Sequence, residues 1–241
     1  MHRCPAAATM LGMAFHREHL PEQLPSEPLS IVADWLQQAL ALRAQPNPNA
    51  MVLATVGAQG MPSARVVLCK EIRPLPGYIT FYTNYLSRKG AELSVNPRAA
   101  VVMHWDAMRR QVRMEGIVTR ATPAESDAYF AGRAWQSRIA AWASQQSAPV
   151  TSRTDLERAA LRMAQRFGTP SPFSGDGSAP DPGITIDRPP HWGGFHLWID
   201  ACELWVEGAG RLHDRARWTR SLRLQDGVYV GSSWQATRLQ P

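Results

Sequence analysis

The chain has 241 residues, room for one large domain or two small ones with a core that needs no covalent staples. An apolar share of 44% and a charged share of 19% are ordinary for a globular protein and exclude a wholly disordered chain. The net charge is +6, and all but Lys70 and Lys89 of the 26 basic residues are arginine, which either suits anionic partners or reflects genomic base composition.

Residues 1–25 read as a mobile, proline-containing arm. No apolar run approaches the ~18–20 residues of a membrane span, and Met1 to Met13 lack the charged and apolar regions of a secretory leader. Ser26-Glu27-Pro28 then opens a helix. Leu29, Val32, Trp35, Leu36 and Leu40 recur at helical spacing through about Leu42, and Gln45-Pro46-Asn47-Pro48-Asn49 ends it. Short β segments follow. Met51 to Val56 runs into the turn Gly57-Ala58-Gln59-Gly60, and Pro62 to Glu71 returns as a second strand. Tyr78 to Thr83 is a third strand, Arg88 to Val95 a helix stopped by Asn96-Pro97, and Ala99 to Trp105 a fourth strand. Gln111 to Arg120 is a fifth, with Val112 and Met114 on one face and Gln111, Arg113 and Glu115 on the other.

Pro123 to Gly132, Ser137 to Ser144 and Thr154 to Phe167 read as helices, the last with a capping box from Thr154 to Glu157. Residues 169–190 are rich in Pro, Gly, Ser and Asp and read as a long surface loop. Strands resume at Gly194–Ile199, Cys202–Val206, Leu212–Thr219, Gly227–Val230 and Trp234–Leu239. Many short strands with a few helices predict a mainly β chain with flanking helices (α+β), a closed or split barrel in one domain over 26–241. The absence of βαβ alternation, of GxGxxG and of GxxxxGK[ST] disfavours a Rossmann or P-loop site. Cys4, Cys69 and Cys202 form no CxxC pair and no HExxH is present, which argues against a metal knuckle or disulfide framework and fits a reducing cytoplasm. Without a zinc-finger, basic-zipper or aromatic RNA-reading pattern, neither nucleic acid nor membrane is an expected partner.

Four segments could carry chemistry. Arg65 and Lys70 sit at the two ends of one predicted strand, roughly 17 Å apart and on opposite faces. They are either solvated strand-end charges or serve two different groups. Ser87-Arg88-Lys89-Gly90 puts a hydroxyl and two cations at a helix N-terminus, where cations oppose the helix dipole unless an anion joins them. Tyr129, Arg133 and Ser137 recur every four residues and on a continuous helix would share one face. Arg211, His213 and Arg215 would share one strand face, with Trp205 as a candidate stacking wall. His213 is a residue type suited to proton chemistry.

Together these pieces resemble one family. RVVLCK (65–70), FYTNYLSRKG (81–90), RRQVRMEG (109–116), YFAGR (129–133) with Ser137 and WASQQS (142–147), HWGGF (191–195), and Trp205 followed by GRLHDR (210–215) and a terminal RLQP are similar in order and spacing to the pyridoxine/pyridoxamine 5′-phosphate oxidases over residues 26–241. The resemblance implies a homodimeric FMN-binding split β-barrel that oxidises pyridoxine or pyridoxamine 5′-phosphate to pyridoxal 5′-phosphate with O₂; the alternatives are a related split-barrel flavin oxidase acting on another substrate, as in the phenazine-pathway relatives, and a non-enzymatic protein that binds flavin or pyridoxal phosphate. It assigns Arg65, Val66, Val67, Leu68 and Lys70 to an FMN-holding strand, with Lys70 also reaching the substrate phosphate. Tyr82 and Thr83 become the flavin wall, Arg88 and Lys89 the FMN phosphate grip, and Gln111 a flavin-ring contact. Tyr129, Arg133 and Ser137 become the substrate phosphate clamp. Gln146 and Ser147 contact FMN from the partner subunit, Trp205 and Arg215 contact it further, and Arg211 and His213 act at the substrate ring and reacting carbon.

The sequence also departs from the family pattern. The arm reads Phe15-His16-Arg17-Glu18-His19 where relatives carry Arg-Arg-x-Tyr. Arg138-Ile139-Ala140-Ala141 replaces Gln-Ile-Gly-Ala, the 169–190 loop is long, and Cys69 takes an aliphatic position.

Overall fold

A computed structural model describes residues 19–175 and 179–241. The predicted arm falls mostly outside this range, including Phe15 to Glu18. Its described end, from His19 to Pro25, is held in place. Leu20 is buried and donates its N–H to Asp214 Oδ2, and Trp218 Nε1 donates to Pro25 O.

Helix α1 (Leu29–Ala41) buries Leu29, Val32, Trp35, Leu36 and Ala39, and the Glu27 carboxylate caps it by accepting from the Leu29 and Ser30 N–H groups. One sheet of nine strands follows: β1 (Ala50–Val56), β2 (Pro62–Leu68), β3 (Glu71–Arg73), β4 (Tyr78–Asn84), β5 (Arg98–Trp105), β6 (Arg110–Arg120), β7 (Trp192–Val206), β8 (Asp214–Thr219) and β11 (Gln235–Leu239). Its order is β11-β8-β7-β6-β5-β1-β2, and β4 pairs with β3 and β7. Alternating burial along β5 and β6 places Val101, Met103, Trp105, Val112 and Met114 in one core with Phe81, Leu197 and Trp218. Helix α2 (Arg88–Val95) follows β4. A second core, containing Phe130, Ile139, Ala164 and Trp192, lies under α3 (Pro123–Ala131), α4 (Trp135–Ala143) and α5 (Arg153–Phe167).

β7 organises the sheet. The two predicted strands 194–199 and 202–206 are one strand of 15 residues. Its first half pairs with β4 (Tyr82↔Gly194) and its second half with β8 (Trp205↔Arg215), while β6 runs along the other edge. Asp200 is the extra residue of a bulge opposite Glu115/Gly116, at the point where β7 changes partner.

Other expectations are corrected. The strand predicted over 62–71 ends at Leu68. Cys69 N still bonds Asn49 O on the β1 side, but Lys70 N bonds Thr80 O, so the chain crosses to β4 between them. Helices α3 and α4 are separate as predicted, since α3 is capped at Gly132 and Ala134 is extended, but α4 starts at Trp135 rather than Ser137. α5 is capped by Ser152, whose Oγ accepts from Asp155 N, rather than by Thr154; the capping box that does form is Thr122–Glu125 on α3. The strand predicted from Leu212 starts at Asp214, since Gly210 and Arg211 both take positive φ in a 3-10 turn. A hairpin of β9 (Leu222–Gln225) and β10 (Val228–Gly231) forms a small second sheet, and β9 was missed. The Asp226-Gly227 pair at its tip, with positive φ at both residues, is a sequence signal for that turn. The described parts of 169–190 hold no helix or strand, and no helix among the described residues is long and apolar enough to cross a membrane.

Candidate functional site

At the start of α2, Ser87 Oγ accepts from Gly90 N and donates to Asn84 O, fixing the turn that leads out of β4. Gly90 is required there, since a Cβ would lie 2.1 Å from Tyr85 O. Lys89 is buried and donates from Nζ to Gln146 Oε1 (2.7 Å), Thr83 Oγ1 (3.1 Å) and Ser87 Oγ (3.2 Å). All three acceptors are neutral, and among the described residues Lys89 makes no ion pair. Burial, reinforced by nearby Arg65 and opposed by Glu92, pulls its pKa down to about 8.

Glu92, one turn further along α2, is a buried carboxylate between two arginines. Its Oε1 accepts from Arg88 Nε (2.9 Å), and its Oε2 from Ser63 Oγ (2.6 Å), Arg65 Nη2 (3.1 Å) and Thr55 Oγ1. Burial opposes its charge, but these four donors outweigh burial and hold its pKa down to about 2.

An aromatic stack forms the opposite wall. The Tyr82 and Tyr129 rings lie 3.8 Å apart and 6° from parallel, with the near-parallel Trp192 ring beside both, 5.7 Å from Tyr82 and 6.1 Å from Tyr129. Helix α3, which carries Tyr129, is held on β7 by the Gly194 N bond to Ser126 Oγ (3.1 Å). Tyr82 can stack because position 194 is glycine: a Cβ there would lie 2.8 Å from its ring. Burial, with nearby Glu125, pushes the Tyr82 phenol up to about 12, so it stays protonated. Arg133 lies 4.5 Å over Trp192, and its Nη1 is buried with no hydrogen-bond partner. Lys70 Nζ lies 5.8 Å over the Tyr129 ring.

These walls enclose a cavity of about 560 Å³. It is lined by every predicted site residue from Arg65 to Ser137 except Arg88 and Gln111, and by Gln146. Arg65 and Lys70 therefore face one cavity rather than two groups on opposite strand faces, because the crossing at Cys69–Lys70 breaks the alternation. Tyr129, Arg133 and Ser137 also meet there, but from α3, the turn after it and α4 rather than from one helix face. Arg88 and Ser147 line an adjoining space of about 840 Å³ that shares Asn84 and Gln146 with the first. Gln146 and Ser147, assigned to the partner's side by the resemblance, lie against the cavity of their own chain. Ser147 Oγ accepts from Arg88 N at 3.2 Å. Asn84, Trp192 and Glu92 were missed as site residues, although all three lie in or beside the motifs TNYLSRKG and HWGGF.

Gln111, Trp205, Arg211, His213 and Arg215 do not line this cavity. Gln111, Trp205 and Arg215 form one cross-strand row on β6, β7 and β8. Arg211 and His213 both stand before β8, Arg211 in the 3-10 turn, so of the three residues expected on one strand face only Arg215 is on a strand. The His213 ring lies 4.6 Å from Trp205, and its Nδ1 accepts from Gly208 N (3.2 Å). In the neutral ring that bond puts the proton on Nε2. Arg215 donates from Nε and Nη2 to the buried Glu203 carboxylate and from Nη1 to Gln240 O.

The cavity suits a ligand with anionic groups and a flat ring. It has a buried ammonium with only neutral partners, an orphaned guanidinium nitrogen and a stacked aromatic wall. Among the described residues no group of three His, Cys, Asp or Glu could hold a metal ion.

Comparison with known proteins agrees with this chemistry. Residues 38–167 match the family model described as pyridoxamine 5′-phosphate oxidase, and 192–241 match the pyridoxine 5′-phosphate oxidase C-terminal dimerisation region. The pyridoxine/pyridoxamine 5′-phosphate oxidase of Paracoccus denitrificans is 43% identical over 226 residues, spanning 89% of this chain and 95% of the relative. Its counterpart from Cupriavidus necator is 45% identical over 215 residues, 89% of each chain. PhzG from Burkholderia lata 383, solved in complex with tetrahydrophenazine-1-carboxylic acid, superposes with a TM-score of 0.75 at 28% identity, covering 90% of this chain and 94% of that one. A pyridoxamine 5′-phosphate oxidase-related, FMN binding protein from Nostoc punctiforme shares the fold, with a TM-score of 0.61 at 19% identity, over 88% and 96% of the two chains.

Proposed function

The chain belongs to the pyridoxamine 5′-phosphate oxidase family, and we propose that it oxidises pyridoxine 5′-phosphate or pyridoxamine 5′-phosphate to pyridoxal 5′-phosphate with FMN and O₂, releasing hydrogen peroxide, and ammonia from the amine. The observation that carries this reading is the pairing, in one cavity, of Lys89 without an anionic partner and Arg133 with an orphaned nitrogen. Two cations without an anionic partner among the described residues suit two phosphates, one on the cofactor and one on the substrate. Bound FMN would supply the redox chemistry, taking a hydride from the substrate and passing electrons to O₂.

Lys89, Arg88, Arg65, Thr83 and Gln146 would hold the cofactor, with Val66, Val67, Leu68 and Ser147 beside it. Tyr129, Arg133, Ser137 and Lys70 would bind the substrate phosphate, and that binding energy would orient the reacting carbon. The row Gln111–Trp205–Arg215, with Arg211 and His213, would complete the site of a second subunit. Its position away from the cavity of its own chain and the match of 192–241 to a dimerisation region support a shared site in a homodimer. Arg211 would orient the substrate and stabilise charge near the reacting carbon. His213, with Nδ1 occupied by Gly208 N, would present an Nε2–H donor to the substrate ring rather than a base. The buried thiols Cys69 and Cys202 fit a reducing compartment such as the cytoplasm.

An aerobic turnover assay with added FMN tests the reading, each vitamer phosphate being offered separately. Matched appearance of pyridoxal 5′-phosphate and peroxide is expected. An FMN-loaded protein that makes neither would redirect the reading to another oxidase substrate, as the likeness to PhzG allows. A protein that takes up no FMN would refute the cofactor assignment.

A further inference from the structure

Glu92 has no place in the clamp or the aromatic wall, yet it is buried and touches two of the three cations at the start of α2. Arg65 (β2), Arg88 and Lys89 (α2) bring three positive charges together. Glu92 brings one negative charge, leaving +2, which balances a phosphate monoester of about −2. Its two oxygens divide the work. Oε2 gathers Thr55 of β1 with Ser63 and Arg65 of β2, and Oε1 takes Arg88 through Nε only. Among the described residues neither Nη of Arg88 has a partner, so its two outer nitrogens are free while its plane is fixed. The Arg88 side chain is 65% exposed and has no other side-chain anchor. Without the carboxylate its fork would be free to rotate.

We propose that Glu92 is a positioning residue that holds Arg65 and Arg88 in the arrangement that selects the phosphorylated over the unphosphorylated form of the flavin. The inference rests on the reading of the site as an FMN site. Glu92→Gln tests the geometry as well as the charge. A Gln amide turns one of the two acceptor oxygens into a donor, which then faces Arg88 Nε or the Thr55/Ser63/Arg65 donors. The result is loss of order rather than a gain of attraction.

The experiment titrates protein freed of flavin with FMN and, separately, with riboflavin, reading flavin fluorescence. Wild type is expected to favour FMN strongly. E92Q is expected to weaken FMN by at least about tenfold while moving riboflavin by no more than about twofold. In an R88Q background the same substitution should cost FMN only about threefold or less, because the Arg88 contact is already gone and only the hold on Arg65 remains to be lost. FMN binding that is unchanged or tighter in E92Q would overturn the proposal, as would equal weakening of FMN and riboflavin, the mark of a merely structural role. If E92Q does not fold, Ser63→Ala removes one Oε2 partner and should give the same selective loss at smaller size; equal losses there would overturn the proposal. Wild type that takes up neither flavin would refute the functional reading itself, and this inference with it.

Discussion

The proposed role of Lys89 at a ligand phosphate makes binding depend on pH in a calculable way. Its Nζ is buried against Gln146, Thr83 and Ser87, none of which carries charge, and its pKa stands at about 8 instead of 10.5. That gap is worth about 3 kcal/mol at 1.36 kcal/mol per unit. A phosphate seated beside the ammonium restores the charged form, so above pH about 8 binding must take up a proton. The apparent Kd for FMN should rise by up to about tenfold per pH unit between about 8 and 10.5, reaching about 30-fold near pH 9.5 relative to pH 7. Fluorescence titrations of wild type, Lys89→Arg and Lys89→Met over that range measure it. Lys89→Arg should be flat because arginine keeps its charge, and Lys89→Met should be flat and weak. The free protein has the opposite sign. Its folded state binds fewer protons than the unfolded chain between about 8 and 10.5, so its stability should rise with pH there. A wild-type Kd constant between about pH 7 and 9.5, or the same slope in Lys89→Met, would refute the reasoning.

Arg133→Met should lower kcat/KM for a phosphorylated vitamer by about 10- to 100-fold, the loss of one charge-assisted contact, while FMN content stays stoichiometric. Gly194→Ala drives a methyl to 2.8 Å from the Tyr82 ring and from Ala121 Cβ. It should cost roughly 1–3 kcal/mol in urea unfolding and change the near-ultraviolet dichroism of the Tyr82–Tyr129 stack. Glu92 has its carboxyl held down to about 2, so its stabilisation is complete above about 4.5 and lost as pH falls toward 2. Wild type should lose roughly 3 kcal/mol over that acid limb, measured at fixed protein concentration, and Glu92→Gln should lack it.

Much of the fold is legible in local pattern. Apolar spacing marks α1, alternation marks β5 and β6, and the Ser87 cap with Asn96-Pro97 sets the bounds of α2. These signals arise from side chains within a turn or two of each other, so sequence alone carries them. The motifs around 65–70, 81–90 and 129–137 likewise marked the cavity wall before any geometry was known. Sequence did not carry what depends on distant partners. The end of β2 at Leu68 follows from Lys70 bonding Thr80 on another strand. The union of the two C-terminal strand segments into β7 follows from an exchange of β4 for β8 across the Asp200 bulge. Nothing beside Glu92 in the sequence marks it as buried, because its burial depends on α2 lying against Thr55, Ser63 and Arg65. The sequence thus determined most of the elements, the family and the residue types that line the cavity, because these rest on neighbours along the chain. Only the tertiary structure decided that Arg65 and Lys70 share a cavity, that two helices and the turn between them supply Tyr129, Ser137 and Arg133, and that the Arg215 row stands apart from them. Those relations are set by strand register and by which edges pair, contacts between residues many positions apart that no short window of sequence encodes.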